Sequence, residues 1–254
     1  QKPLFAPGGF GAEPAKTLNP DVLRARDNLG SHPEGDYRME RIQLDSFDVA
    51  GAVQKAADVV RSGGILVYPT DTVYGLGCDP FLESALRRLA RVKLRSDSRY
   101  VVLERDSEAV TRWTSKVPDS LGFFAQRLWP GPVTMIFSKD PARGPLRGND
   151  SIGMRVPNFD FLQKLLSALA MPLVSTSVNR SGSAPLGDPE QIWEEFREDI
   201  DLFLDGGTFP ARLPSSVVDL RPQAPQILRR GSNAAAIEAA IQEWIHGQHN
   251  EPHA

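Results

Sequence analysis

The run Gly63-Gly64-Ile65-Leu66-Val67-Tyr68-Pro69-Thr70-Asp71-Thr72-Val73-Tyr74-Gly75-Leu76-Gly77 joins a helix stop, a short apolar strand and a polar exit that carries two glycines. Upstream, Val49, Val53, Ala57 and Val60 recur at helical spacing, and the paired glycines end that helix. Residues 65–68 are too short an apolar run for a helix and read as a buried strand. The same alternation continues downstream. It predicts helices at 82–93, 119–128, 159–168, 189–196 and 234–245, with strands at 100–103, 133–137, 152–156, 172–177, 202–204, 216–220 and 226–228. Helices interleaved with strands predict an α/β fold.

Residues 1–38 are rich in Pro, Gly and Asn without a sustained period, so residues 1–40 are expected to be an extension. Residues 41–232 carry no internal repeat or linker and read as a single domain, followed at 233–254 by a helix and a polar tail.

Composition excludes several chemistries. The four histidines, His32, His246, His249 and His253, all lie outside the patterned middle of the chain, which argues against a histidine base, a Ser-His-Asp triad or an HExxH zinc site. A single cysteine, Cys78, rules out an internal disulfide and a thiolate zinc cluster. No apolar run approaches the roughly 20 residues that span a bilayer, and the opening residues lack a signal pattern. A cytoplasmic enzyme is the expectation. The net charge of -3 offers no general attraction to nucleic acid, so phosphate binding requires a local basic cluster.

One such cluster exists, at Lys93-Leu94-Arg95-Ser96-Asp97-Ser98-Arg99. Guanidinium forks and an ammonium could hold a triphosphate without a glycine-rich loop; a solvated helix end would look the same. There is no Gly-Lys dipeptide, hence no Walker A loop, and Gly75-Leu76-Gly77 lacks a third glycine. The exit at residues 69–77 stands where a strand end would line a binding crevice, although its Thr and Asp side chains could equally serve local backbone groups. Ser175-Thr176-Ser177-Val178-Asn179 gathers donors and acceptors after another apolar strand, as does Leu213-Pro214-Ser215-Ser216 before one. Arg155, alone in the strand 152–156, needs a partner, for which a substrate carboxylate or a structural aspartate would serve.

Taken in order, residues 68–77, Lys93-x-Arg95, Trp129-Pro130-Gly131-Pro132-Val133-Thr134, Met154-Arg155-Val156-Pro157, Ser177-Val178-Asn179 and Leu228-Arg229-Arg230-Gly231 resemble the YrdC-like family of threonylcarbamoyl-AMP synthases, over about residues 46–232. The resemblance implies one open, twisted, mixed sheet flanked by helices, with a large concave cavity. It further implies formation of threonylcarbamoyl-AMP and pyrophosphate from L-threonine, bicarbonate and ATP, with magnesium accompanying the nucleotide. The product would serve threonylcarbamoyladenosine modification of tRNA position 37, with tRNA contact and hand-over to the threonylcarbamoyl transferase complex as further implications. By position, Thr72, Arg155, Ser177 and Ser215 would contact threonine. Lys93, Arg95, Arg99, Ser177, Asn179 and Arg229 would hold ATP, with Lys93 and Arg95 stabilising charge in catalysis.

The chain departs from the family pattern at Ser96, Tyr100-Val101 and Glu104. Three competing readings are a YciO-like paralogue that binds RNA or nucleotide with weak or no synthase activity, a noncatalytic RNA-binding module, and a carbamoyl-adenylate enzyme resembling a domain of the hydrogenase-maturation proteins. Asn179 favours the synthase over the paralogue; the negative net charge argues against the RNA module.

Overall fold

The structure, a computed structural model, describes residues 40–44, 48–94, 100–146, 149–209 and 212–250, with side chains described through residue 247. The basic loop from Arg95 to Arg99 therefore lies outside the described residues, as do residues 1–39 of the extension.

Among the described residues, ten strands form one mixed sheet: β1 (Glu40–Gln43), β2 (Leu66–Tyr68), β3 (Gly75–Cys78), β4 (Val101–Leu103), β5 (Val133–Ser138), β6 (Ser151–Arg155), β7 (Leu173–Ser177), β8 (Leu202–Asp205), β9 (Ser216–Asp219) and β10 (Gln226–Arg229). Their order across the sheet is β1-β8-β2-β3-β7-β4-β6-β5-β9-β10. Among the described residues, six α-helices flank them: α1 (Val49–Arg61), α2 (Glu83–Val92), α3 (Leu121–Leu128), α4 (Asp160–Leu169), α5 (Pro189–Phe196) and α6 (Ala234–Asn250). The expected open α/β sheet is present.

Side-chain alternation along the strands explains where the empty space lies. Val133, Met135 and Phe137 of β5, Ile152 and Met154 of β6, and Val174 of β7 point into a core that also takes Leu89 of α2, Phe124 of α3, Phe196 of α5 and Ile237 of α6. Among the described residues, two helices pack on the opposite face at one end. There Ala56 and Val60 of α1 and Leu162 and Leu166 of α4 pack over Leu66, Tyr68, Leu202 and Leu204. Leu103, Thr134, Arg155, Ser175 and Ser177, offset by one residue from the core-facing positions, wall a cavity of about 280 Å³.

The structure corrects one reading and extends two others. Residues 75–78, read as part of a strand exit, are the strand β3, paired antiparallel with both β2 and β7. Glycine is required there because the Tyr68 side chain lies over β3: a Cβ on Gly77 would come within 2.7 Å of the Tyr68 hydroxyl and of the Val174 carbonyl. Residues 40–43, at the edge of the expected extension, form β1, parallel to β8. The last helix continues past residue 245 to Asn250, and its Ile237, Ala240 and Ile241 belong to the main core. Among the described residues no helix is long and apolar enough to cross a membrane.

Candidate functional site

The β2–β3 turn builds the first wall. Thr70 Oγ1 donates to the Val73 carbonyl at 2.7 Å and accepts from the Thr72 amide at 2.9 Å, closing the turn on itself. Thr72 is thereby presented to Arg155, which ends β6. The Arg155 guanidinium donates from Nη1 to Thr72 Oγ1 at 3.0 Å, from Nε to the Gly131 carbonyl at 3.1 Å, and from Nη2 to Asp71 Oδ1. The partner left open by the sequence is thus the structural aspartate. Asp71 itself is steadied by the Asn158 amide at 3.2 Å.

Arg229, at the end of β10, donates to the Ser215 carbonyl from Nε at 3.0 Å and from Nη2 at 2.7 Å, and to Ser215 Oγ at 3.1 Å. Ser215 Oγ also lies 2.9 Å from Thr134 Oγ1. Gly231 allows this closeness, since a Cβ there would fall 2.1 Å from the Pro214 carbonyl oxygen. Among the described residues no carboxylate is within salt-bridge distance of Arg229. Burial pulls the Arg155 guanidinium below the usual arginine value, against the charge of Asp71. Burial does the same to Arg229, and the neighbouring charge of Arg155 adds to it. Two cations that share a wall where desolvation disfavours charge make a site that an anion would relieve.

On the third wall Lys93, 2% exposed, follows α2 and reaches across to the loop after β7. Its Nζ donates to the Ser177 carbonyl at 2.7 Å, the Asn179 carbonyl at 2.5 Å and Asn179 Oδ1 at 2.7 Å. Three donors meet three oxygens. Ser177 Oγ donates to the same Asn179 Oδ1 at 2.6 Å, while Asn179 Nδ2 donates to the carbonyls of Arg180 at 2.9 Å and Ser183 at 2.7 Å. Both residues line the cavity, and in this structure both side chains also hold the loop. Asn179→Ala should therefore weaken ATP binding about tenfold through loss of the loop's shape. It should also cost about 1–2 kcal/mol of stability, because the Lys93 ammonium loses an acceptor; ATP titration calorimetry and urea denaturation check the two parts.

Thr72, Lys93, Arg155, Ser177, Asn179, Ser215 and Arg229 all line the same cavity, although 157 positions separate the first from the last. Arg95 and Arg99 fall outside the described residues. Sequence reading assigned no role to Asp71 or to Thr134. Asp71 stood inside the quoted motif, but its pairing with a residue 84 positions away leaves no local signal. Tyr68, buried behind the wall, donates to Ser175 Oγ at 2.9 Å.

The departures from the family pattern at Tyr100 and Glu104 point away from the cavity. Tyr100 is buried and donates to the Leu86 carbonyl at 3.3 Å, leaving Val101 on the cavity wall. Glu104 accepts from Trp113 Nε1 at 2.8 Å, with Arg112 at 3.9 Å. Burial raises its carboxyl above the usual value, against the pull of Trp113 and Arg112. A raised folded-state value contributes stability that is complete below the unfolded value and is lost as pH rises through the folded one. Glu104→Gln, which cannot ionise, should therefore gain stability relative to the parent as pH rises from 4 to 8. Parallel urea denaturation at the two ends checks the sign.

A mixed sheet flanked by helices, with two arginines, several hydroxyls and a caged lysine on one cavity wall, defines an α/β protein with a polar, cation-lined pocket. The chain belongs to the Sua5/YciO/YrdC family, whose model, described as "Telomere recombination", matches residues 58–231. Threonylcarbamoyl-AMP synthase of Methylococcus capsulatus is 37% identical over 167 residues, which are 65% of this chain and 90% of that protein. The crystal structure of Pyrococcus abyssi Sua5 complexed with L-threonine superposes with a TM-score of 0.73 at 27% identity. It covers 81% of this chain, while this chain covers only 61% of that longer protein. The crystal structure of Escherichia coli YciO gives a TM-score of 0.67 at 30% identity, over 76% of this chain and 95% of that one.

Proposed function

We propose that the chain is a threonylcarbamoyl-AMP synthase, forming threonylcarbamoyl-AMP and pyrophosphate from L-threonine, bicarbonate and ATP in the cytoplasm, for modification of tRNA position 37. The observation that carries this reading is the buried Arg155 and the half-buried Arg229 converging with Thr72, Thr134 and Ser215 on one cavity. Similarity to a synthase over nine-tenths of that protein's length, and to a fold that binds L-threonine in Pyrococcus abyssi Sua5, supports it. No specific observation favours the YciO-like alternative.

The chemistry suits such a wall. The threonine amine adds to bicarbonate carbon and water leaves, giving an N-carboxylate; one of its oxygens then attacks the α-phosphorus of ATP and expels pyrophosphate. Neither step needs a histidine. Both gather negative charge, which fixed guanidinium groups stabilise in a partly desolvated cavity. Arg155 uses three of its five N–H donors on protein oxygens and keeps two for the threonine carboxylate, with Thr72, Ser177 and Ser215 beside it. Arg229, with Arg95 and Arg99, holds the triphosphate. Lys93 contributes its charge and fixes the Ser177-Val178-Asn179 loop. Magnesium enters on the triphosphate, as part of the substrate. Pyrophosphate release from ATP is the test: release that requires both threonine and bicarbonate fits the proposal, and release indifferent to either refutes it.

A further inference from the structure

Behind the nucleotide-side wall runs a polar chain that none of these assignments uses. It begins outside the family-matched region, on β1, where Arg41 donates to the buried Asp205 Oδ2 from Nε at 3.1 Å and from Nη2 at 2.7 Å. Arg41 also reaches Glu190 at 2.6 Å and lies over the rings of Phe203 and Trp193, at 5.4 and 5.8 Å to their centroids. The other Asp205 oxygen accepts from the Gly207 amide at 2.8 Å and lies 3.5 Å from the Tyr74 hydroxyl oxygen. That hydroxyl donates to the Gly207 carbonyl at 2.7 Å and accepts from the Gly206 amide at 2.8 Å.

Tyr74 lines the cavity, and its backbone carbonyl accepts from the Val178 amide at 2.9 Å, between Ser177 and Asn179. Its ring stacks on Phe209, with 4.8 Å between centroids, and the Phe209 amide donates to the Gly187 carbonyl at 2.9 Å. The loop that cages Lys93 is therefore held at Val178 through the Tyr74 backbone and at Gly187 through the residue stacked on the Tyr74 ring.

We infer that Arg41 and Asp205 are positioning residues for the nucleotide subsite: Arg41 fixes the Asp205 carboxylate, Asp205 fixes Tyr74 and residues 206–209, and these hold the Ser177–Asn179 loop in its binding shape. A strand upstream of the family-matched region thus completes the site. The inference rests on the synthase reading only in naming the nucleotide. Coupling between residues in one hydrogen-bonded network shows as non-additivity in a double-mutant cycle.

The test is a cycle of Arg41→Ala and Tyr74→Phe, read by ATP affinity in calorimetry and by KM and kcat for pyrophosphate release, with Tm recorded for each variant. Each single variant should weaken ATP binding and raise its KM about fivefold to tenfold, with kcat within about twofold; the double variant should be hardly worse than the weaker single one. Arg41→Lys, which keeps the charge, should recover most of the affinity, and Arg41→Gln, which removes the charge but keeps a polar stem, replaces Arg41→Ala in the cycle if the alanine variant does not fold. Unchanged ATP affinity, additive losses, or a fall in kcat with KM unmoved would overturn the inference. Because ATP affinity is read without turnover, a parent protein that binds ATP but makes no adenylate would refute the synthase reading and leave this one to stand or fall on the cycle.

Discussion

Arg155→Ala is expected to lose about a thousandfold in kcat/KM for threonine and about 3 kcal/mol of stability. The two losses have different origins. Function goes because a charged, preoriented donor fork leaves the threonine subsite, and removal of one such group typically costs a factor of ~10²–10³. Stability goes because Asp71, with a side chain only 11% exposed, is left without its cation, and breaking a buried pair on one side typically costs about 3–5 kcal/mol. Arg155→Lys should restore part of the stability and little of the activity, since a lysine ammonium cannot reach Asp71, Thr72 and the Gly131 carbonyl at once. Steady-state kinetics and urea denaturation on the three proteins separate the effects. An alanine variant with parental kcat/KM would remove Arg155 from the threonine subsite.

Lys93→Met should be nearly as severe. The substitution keeps the apolar stem but leaves the Ser177 carbonyl, the Asn179 carbonyl and Asn179 Oδ1 without their shared donor. The expected cost is about 2–3 kcal/mol, the range of a lost charge-assisted hydrogen bond in a buried setting, together with a loss of adenylate formation of about a thousandfold. The structure predicts that activity and stability fall together, and a variant with parental Tm would contradict the cage.

What the sequence made legible follows from which signals are local. Helices α2, α4 and α5 stand within two residues of their expected bounds and α1 ends before its expected Gly63-Gly64 stop, because apolar residues repeat on one face and those glycines or a capping Asp188 punctuate the pattern. Strand β3 escaped because glycines with a cysteine carry no strand signature; their role is set by Tyr68, which pairs from the neighbouring strand. Strand β1 escaped because a four-residue edge with only Ile42 apolar is indistinguishable from a polar arm.

The candidate site was legible wherever a polar residue closes an apolar strand, as Arg155, Ser177 and Arg229 do on β6, β7 and β10. Its pairings were not. Asp71 with Arg155, Lys93 with Asn179, and Arg41 with Asp205 join residues 84, 86 and 164 positions apart, and only the sheet order brings them together.

The most direct measurement is mass spectrometry of the nucleotide products when the purified chain is given ATP, L-threonine and ¹³C-bicarbonate. The account predicts threonylcarbamoyl-AMP that carries the label in its carbamoyl carbon, formed with pyrophosphate in equal amount. ATP bound in the cavity with no labelled adenylate formed would contradict it.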